Sequence, residues 1–551
     1  MTSMKSYSGR VQAKATPQSR PVAGKAEVQN DAGGFGFALD KWARLHRFLV
    51  LGAEGGTFYV GEQKLVEANA KAVVECLKED GSRTVLEILD VSVSGRAPKN
   101  EPAIFALALA TVYGDAATKA TAYRAIPRVC RIGTHLFHFC QAVQDLRGWS
   151  RGLRGGVGAF YADRDEADLA YQLVKYRQRD GWTHKDVIKL AHPKTKDPVK
   201  NALIRWALGK TKEGDDSDQH VKRGPIIAAF EEVQRLGVEL AGGTTTATQA
   251  QRIVREICEL TGKWRLPWEA LPTQVLASAQ TWETLAPTMP LGALLRNLGR
   301  MSSLGLTVSN LSETTKILAG RLTDREAIRK ARLHPLSILQ AAKVYGQGHG
   351  DKGSLTWTAA GAIKDALEGA FYLSFDSIES TGKAWLLGID VSGSMTSNHL
   401  AGMNVTAAEG AAVMSMITAR KEAVHEIYGF DHGFVDLGVT AKDTLAEAIR
   451  KTNKNNGGGT DCALPMIFAL ENKLKVDAFV VYTDNETWAG KVHPFQALQA
   501  YRKALNPGAK LIVVGMTATG FTIADPSDAG MLDVVGFDPA TPAAMADFVR
   551  G

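Results

Sequence analysis

The spacing of apolar positions divides the chain. From Ala38 to about Leu373 hydrophobic residues recur at helical intervals with almost no strand-like run. Gln63–Leu77 places Leu65, Val66, Val73, Val74 and Leu77 on one side of a helix. Pro102–Val112 is apolar nearly all round, the pattern of a buried helix. Further helices are predicted over Ala116–Val129, Thr134–Leu146, Glu166–Arg179, Pro225–Leu236, Thr248–Leu260, Pro290–Met301, Asp324–Leu333, Pro335–Tyr345 and Ala359–Phe371. So many short helices with short connections suggest helical pairs stacked as a solenoid, although no clean repeat period is present. From Thr381 strands and helices alternate, and the apolar runs Ala384–Ile389, Phe479–Tyr482 and Lys510–Val514 read as buried strands of an α/β domain. Residues 1–34, rich in Ser, Gly, Lys and Pro, read as a disordered, slightly basic tail. The expected division is therefore 1–34 tail, 35–375 helical domain and 376–551 α/β domain.

The α/β domain carries the sharpest chemistry. DVSGSM (Asp390–Met395) directly follows the first strand, GGGTD spans Gly457–Asp461, and the strand at Phe479 runs into TDNET (Thr483–Thr487). In doubly wound sheets, loops leaving the carboxyl ends of the strands converge on one crevice. Asp390, Ser392, Ser394, Thr460 and Asp484 would all reach it, and all five offer oxygen. Oxygen-only ligands suit a hard cation, Mg²⁺ first, with Ca²⁺ or Mn²⁺ as alternatives. A serine nucleophile elbow at Ser392 would need Gly where Asp390 stands, and no His lies at an informative spacing, so hydrolase chemistry is not expected. The set resembles the metal-ion-dependent adhesion site of von Willebrand factor A (vWA) domains. That resemblance implies direct ligation by the serines and Thr460, with the aspartates acting directly or through water.

Charge adds a second theme. The 551 residues carry a net charge of +7. From Thr381 onward there are 14 basic against 18 acidic residues, which leaves 51 against 40 before it. The positive excess thus lies wholly in the helical part, as expected of a surface that meets a polyanion. Five scattered cysteines with no CxxC pair point to a reducing compartment and away from a zinc site. No run is long enough to span a bilayer and MTSMKSYSGR lacks a signal-peptide core, so a cytosolic protein is expected. Gly348–Gly353 formally matches GxGxxG but follows a helix, and Gly209-Lys210-Thr211 lacks the first glycine of a phosphate loop; neither supports nucleotide binding.

The most basic edge is LVKYRQRDGWTHKDVIKLAH (Leu173–His192). Lys175 and Arg179, four apart, would share a helix face, with Arg177 off it. Asp180-Gly181 would end that helix, and Thr183 would cap a second one carrying Lys185 and Lys189, with His192 after its end. Arg147, Arg151 and Arg154, in DLRGWSRGLRGG, are further candidates for phosphate contact. His135, His138 and His334 are read as core or surface residues. Lys210–His220 reads as an exposed loop.

Several long motifs resemble the Ro autoantigen family of TROVE-domain RNA-binding proteins. They are RLHRFLVLGAEGGTFYVGEQKL (Arg44–Leu65), VCRIGTHLFHF (Val129–Phe139), KYRQRDGWTHKD (Lys175–Asp186), MPLGALLRNLGRM (Met289–Met301) and ARLHPLSIL (Ala331–Leu339). In the second domain they are TGKAWLLGIDVSGSM (Thr381–Met395), GGGTDCALPMIFA (Gly457–Ala469), TDNETWAGKVHP (Thr483–Pro494) and GFTIADPSDAGMLDVVGFD (Gly520–Asp538). The likeness runs from about residue 35 to 540, loosening over Ala207–Gly224 and Gly237–Gly262. It implies a ring of HEAT-like helical repeats joined to a vWA domain. It also implies binding of structured noncoding RNA, Y RNA-like, on the outer ring surface, with Lys175, Arg179 and His192 at the family's RNA-binding positions. Single-stranded ends of misfolded RNAs would enter the ring's hole. The resemblance further implies that bacterial members can join a degradative exoribonuclease through their RNA; no nuclease carboxylate cluster is read in this sequence, so a non-enzyme is expected. The rival reading is a metal-dependent protein-interaction scaffold, in which the cation's open position captures an acidic residue of a partner.

Overall fold

The computed structural model describes residues 15–210, 224–242, 245–375, 378–453 and 458–551. Side-chain caps set many helix limits. Ala116–Val129 starts after Asp115, whose carboxylate accepts from Thr118 N–H, and Ala247–Trp264 starts with a capping box between Thr246 and Gln249. Pro102 and Pro335 stand in first turns, where a missing N–H costs nothing. The helix predicted over Gln63–Leu77 runs farther, Glu62–Ser94, broken at Asp80 (φ −148°, ψ 88°). Packing proceeds between near neighbours in the chain: Glu62–Ser94 on Glu101–Tyr113 and Ala116–Val129, Ala116–Val129 on Arg151–Ala162, Glu166–Lys175 on Gly224–Ala241. The array closes on itself. A Cβ on Gly95 would lie 2.8 Å from that of Arg332, and His334 Nε2 stands 3.1 Å from the Arg96 carbonyl oxygen. The result is an α-helical ring.

The second domain is a six-stranded mixed sheet. Its strands are β5 (Ala384–Asp390), β6 (Val424–Phe430), β7 (Phe434–Val435), β8 (Ala478–Thr483), β9 (Lys510–Gly515) and β11 (Met531–Val535), ordered β11-β9-β8-β5-β6-β7. All neighbours are parallel except β6 and β7. Helices cover both faces, so β8 (AFVVYT) is buried throughout. The first strand, β5, lies between β6 and β8, so the chain order reverses beside it. Asp390 and Asp484 are set there, at the topological switch point.

Two expectations change. Residues 15–34 are not a free tail: β1 (Glu27–Gln29) and β2 (Phe35–Ala38) form a hairpin, and β2 pairs with β10 (Phe521–Thr522) of the second domain. The helix predicted over Glu166–Arg179 stops at Lys175; β3 (Gln178–Arg179) and β4 (Trp182–Thr183) then form a small hairpin. Its turn residues Asp180 (φ 51°) and Gly181 (φ 80°) both take positive φ, as a two-residue hairpin turn requires. Of the expected loop Lys210–His220, only Lys210 lies among the described residues.

Ion pairs stitch the domains together. Fully buried Arg47 donates from Nη2 to both Asp533 carboxylate oxygens at 2.6 and 2.7 Å, and Arg96 holds Asp538 at 2.6–3.1 Å.

Candidate functional site

The crevice is built from three loops. After β5, Ser392 N–H donates to Asp390 Oδ1 at 3.0 Å, which curls the loop and leaves the Ser392 and Ser394 hydroxyls 3.2 Å apart. After β8, Glu486 N–H donates to Asp484 Oδ1 at 3.1 Å, and Thr483 Oγ1 donates across to Asp390 Oδ2 at 2.7 Å. In the third loop the Thr460 carbonyl accepts from Trp488 and Ala489 N–H at 3.1 and 3.0 Å. Its hydroxyl is buried and has no partner. None of Asp390, Ser392, Ser394, Thr460 and Asp484 is more than 2% exposed. Asp390, Ser392, Ser394 and Asp484 thus meet in one crevice, and the Thr460 loop abuts it, with Gly393 N–H donating to the Gly458 carbonyl at 3.4 Å.

The two carboxylates are pushed toward their neutral form. Burial, then the Asp484 charge, pushes Asp390 up to about 7; burial likewise raises Asp484. Two carboxylates and three hydroxyls, one of them orphaned, fit a hard ion held by oxygen. Among the described residues no group of three or more His, Cys, Asp or Glu could hold a metal.

Residues the sequence did not point to complete the crevice. Glu486 is fully buried, raised to about 9 by burial and by Asp484, and its Oε2 accepts from Ala32 N–H at 2.9 Å. The Tyr59 phenol, from a loop of the ring, lies beside Ser394, Asp484 and Trp488; burial and then Asp484 raise its pKa.

The basic edge is less simple than its sequence. Lys175 is the last residue of its helix and only 7% exposed, so it shares no helix face with Arg179. Its Nζ lies 3.8 Å from Glu269 Oε1 and over the rings of Tyr171 and Tyr176, 5.5 and 5.4 Å from their centres. Burial lowers its pKa, with Glu269 working against that. Arg179, on the hairpin, still folds back to donate to the Lys175 carbonyl at 3.4 Å. Arg177 is exposed and sits over the Phe230 ring at 5.2 Å. Lys175, Arg177, Arg179 and Lys185 line one open groove of about 880 Å³, with Trp206, Phe230 and Glu269 in its walls.

The remaining candidates are exposed but do not line that groove. Lys189 lies on the helix His184–Ala191, capped as expected by Thr183, here in a capping box with Asp186, and His192 ends it in a left-handed conformation (φ 49°). Arg147 caps the end of Gly133–Leu146, and Arg151 and Arg154 lie at the start of Arg151–Ala162. His334 is buried against the Arg96 carbonyl, and His135 meets Asn100. His138, part-exposed, meets Asp180 on the hairpin turn at 2.9 Å.

Comparison with known proteins agrees with this architecture. The family model of the Ro60 vWA domain matches residues 384–549, and that of the TROVE domain matches residues 28–236 and 263–343. The chain is 42% identical over 540 residues to a Deinococcus radiodurans protein named RNA-binding protein RO60, covering 97% of this chain and 98% of that one. A Caenorhabditis elegans protein of the same name is 34% identical over 598 residues, covering 98% and 92%. The crystal structure of the Deinococcus radiodurans RO (RSR) protein matches with a TM-score of 0.66 at 41% identity, over 93% of this chain and all of that one.

Proposed function

The chain belongs to the Ro60 family of TROVE-domain proteins, and from that premise we propose that it binds structured noncoding RNA, Y RNA-like, on the outer face of its ring. Single-stranded ends of misfolded RNAs enter the hole, and the protein serves noncoding RNA quality control without catalysing cleavage. The observation that carries this reading is the convergence of Lys175, Arg177, Arg179 and Lys185 on one groove, in the part of the chain that holds the whole positive excess. The relatives' names support it. Arg177, Arg179 and Lys185 meet phosphates at the rim, Lys189, His192, Arg147, Arg151 and Arg154 extend the track, and Lys175 supplies charge from beneath. A degradative exoribonuclease joins through the RNA. The five buried, unpaired cysteines suit a cytoplasmic setting, and among the described residues no helix is long and apolar enough to cross a membrane.

Asp390, Ser392, Ser394, Thr460 and Asp484 would hold a divalent cation, Mg²⁺ most naturally. When bound, the ion supplies a Lewis-acidic position able to take an acidic side chain from a partner protein. The orphaned Thr460 hydroxyl favours this second, scaffold-like activity beside the RNA one.

The test is binding of a structured RNA with a single-stranded 3′ tail across a salt series, comparing the wild type with a Lys175→Ala, Arg179→Ala, His192→Ala variant. Each phosphate that the variant no longer neutralises should flatten the log–log salt slope by roughly 0.9. Folded wild type that does not bind would leave the metal-dependent scaffold as the better account.

A further inference from the structure

The N-terminal strap, Thr16–Ala38, touches the crevice from behind. Gln18 is fully buried, and its amide is fully engaged. Nε2 donates to Asp461 Oδ1 at 2.8 Å and to the Val492 carbonyl at 2.7 Å, while Oε1 accepts from Thr487 Oγ1. Asp461 follows Thr460, and Thr487 lies three residues after Asp484. One side chain therefore bridges the two loops that carry those candidate ligands. Asn30 adds a second tie: its Nδ2 donates to the Thr487 carbonyl at 2.8 Å and its Oδ1 accepts from Gly34 N–H at 2.7 Å. Ala32 N–H to Glu486 adds a third.

The fit is at backbone contact. A Cβ on Gly34 would stand 1.8 Å from the Thr487 carbonyl oxygen, and one on Gly490 would stand 2.2 Å from Gln18 Nε2 and 2.4 Å from Asp461 Oδ1. The strap is held there by its own anchors: Gln18 N–H donates to the Gly490 carbonyl at 2.9 Å, Lys25 pairs with Asp525, and buried Glu27 pairs with buried His493 at 2.9 Å. No strand of the six-stranded sheet pairs with β1 or β2, so these contacts set loop positions rather than the sheet.

We propose that the strap is a working part of the metal crevice, and that Gln18 is a positioning residue fixing the Thr460 loop against the Asp484 loop so that their ligands face one ion. This rests on the reading that the crevice holds a divalent cation. Groups that orient metal ligands without touching the metal typically affect affinity strongly when removed.

The test is calorimetric titration of the full chain with Mn²⁺, well below each variant's melting midpoint, with metal-free melting measured in parallel and Asp390→Ala as the baseline. Gln18→Glu keeps the volume and removes both donated bonds; Gly34→Val displaces the strap and leaves Gln18 unchanged. The expected result is wild-type binding that both variants weaken about tenfold or more. Wild-type affinity in both variants, with or without a lower metal-free melting temperature, would reduce the strap to a structural brace and overturn the proposal. Wild type indistinguishable from Asp390→Ala would instead remove the metal reading, and this inference with it.

Discussion

Lys175 and Arg179 differ in what their removal would leave behind. Without Lys175, the part-buried Glu269 loses its counter-ion, and its Oε2 already has no hydrogen-bond partner. Lys175→Ala should therefore cost stability of about 1–3 kcal/mol as well as RNA affinity. Arg179 is half-exposed and, among the described residues, hydrogen-bonds to the carbonyls of Gln178 and Lys175, so Arg179→Ala should stay within about 0.5 kcal/mol of wild type. Urea unfolding of the two single variants separates these effects, and equal destabilisation would mean that the Glu269 pair does not hold the groove together. Nothing in the spacing of Lys175 and Arg179 signals this difference, because Glu269 is far along the chain. Asp390 and Asp484, by contrast, are legible from sequence, since each directly follows the apolar run of a buried strand.

At the scale of elements, the β3–β4 hairpin presents Arg179 to the groove, and its geometry depends on Gly181. At φ 80° a β-branched side chain is strained, so Gly181→Val should cost about 1–2 kcal/mol and swing Arg179 out of place. RNA affinity should fall with no change in charge, and the salt slope should flatten as in Arg179→Ala; unchanged affinity would show that the turn does not position the arginine. The Asp-Gly pair between Arg179 and Trp182 was a visible hairpin signal, but read against the helical run before it, it looks like a helix stop. Most helices were legible because cap and period agree, as in Ala116–Val129 after Asp115. The strap was not. Its residues are polar and aperiodic, and their value comes from partners more than 440 positions away, such as Asp461 for Gln18.

For the molecule as a whole, the ring and the vWA domain meet across charged groups, so their docking should depend on pH. His46 of the ring lies 2.6 Å from Glu87 on its own domain and 3.2 Å from Asp538 across the seam, with Arg96 also on Asp538. Burial alone would lower the His46 pKa, and Arg96 adds to that, but the bonds to Asp538 and Glu87 outweigh both and leave it raised. Burial likewise opposes the Asp538 charge, yet His46 and Arg96 hold that carboxyl down at about 2. A raised histidine contributes stability that is complete below its unfolded value near 6.5 and is lost as pH rises through the folded one. A depressed aspartate contributes stability that is present above its unfolded value near 3.9 and is lost as pH falls toward 2. The seam should therefore be tightest between about pH 4 and 6.5 and loosen on the alkaline side as His46 loses its proton. Amide exchange of Arg96 and of the Asp538 turn, corrected for intrinsic rates, should show protection falling from pH 6 to 8 in the wild type. In His46→Gln, which keeps a polar side chain but cannot titrate, that fall should disappear while the Arg96–Asp538 pair persists. A profile with the same slope in both proteins would place the pH dependence elsewhere and leave the histidine as packing between two carboxylates.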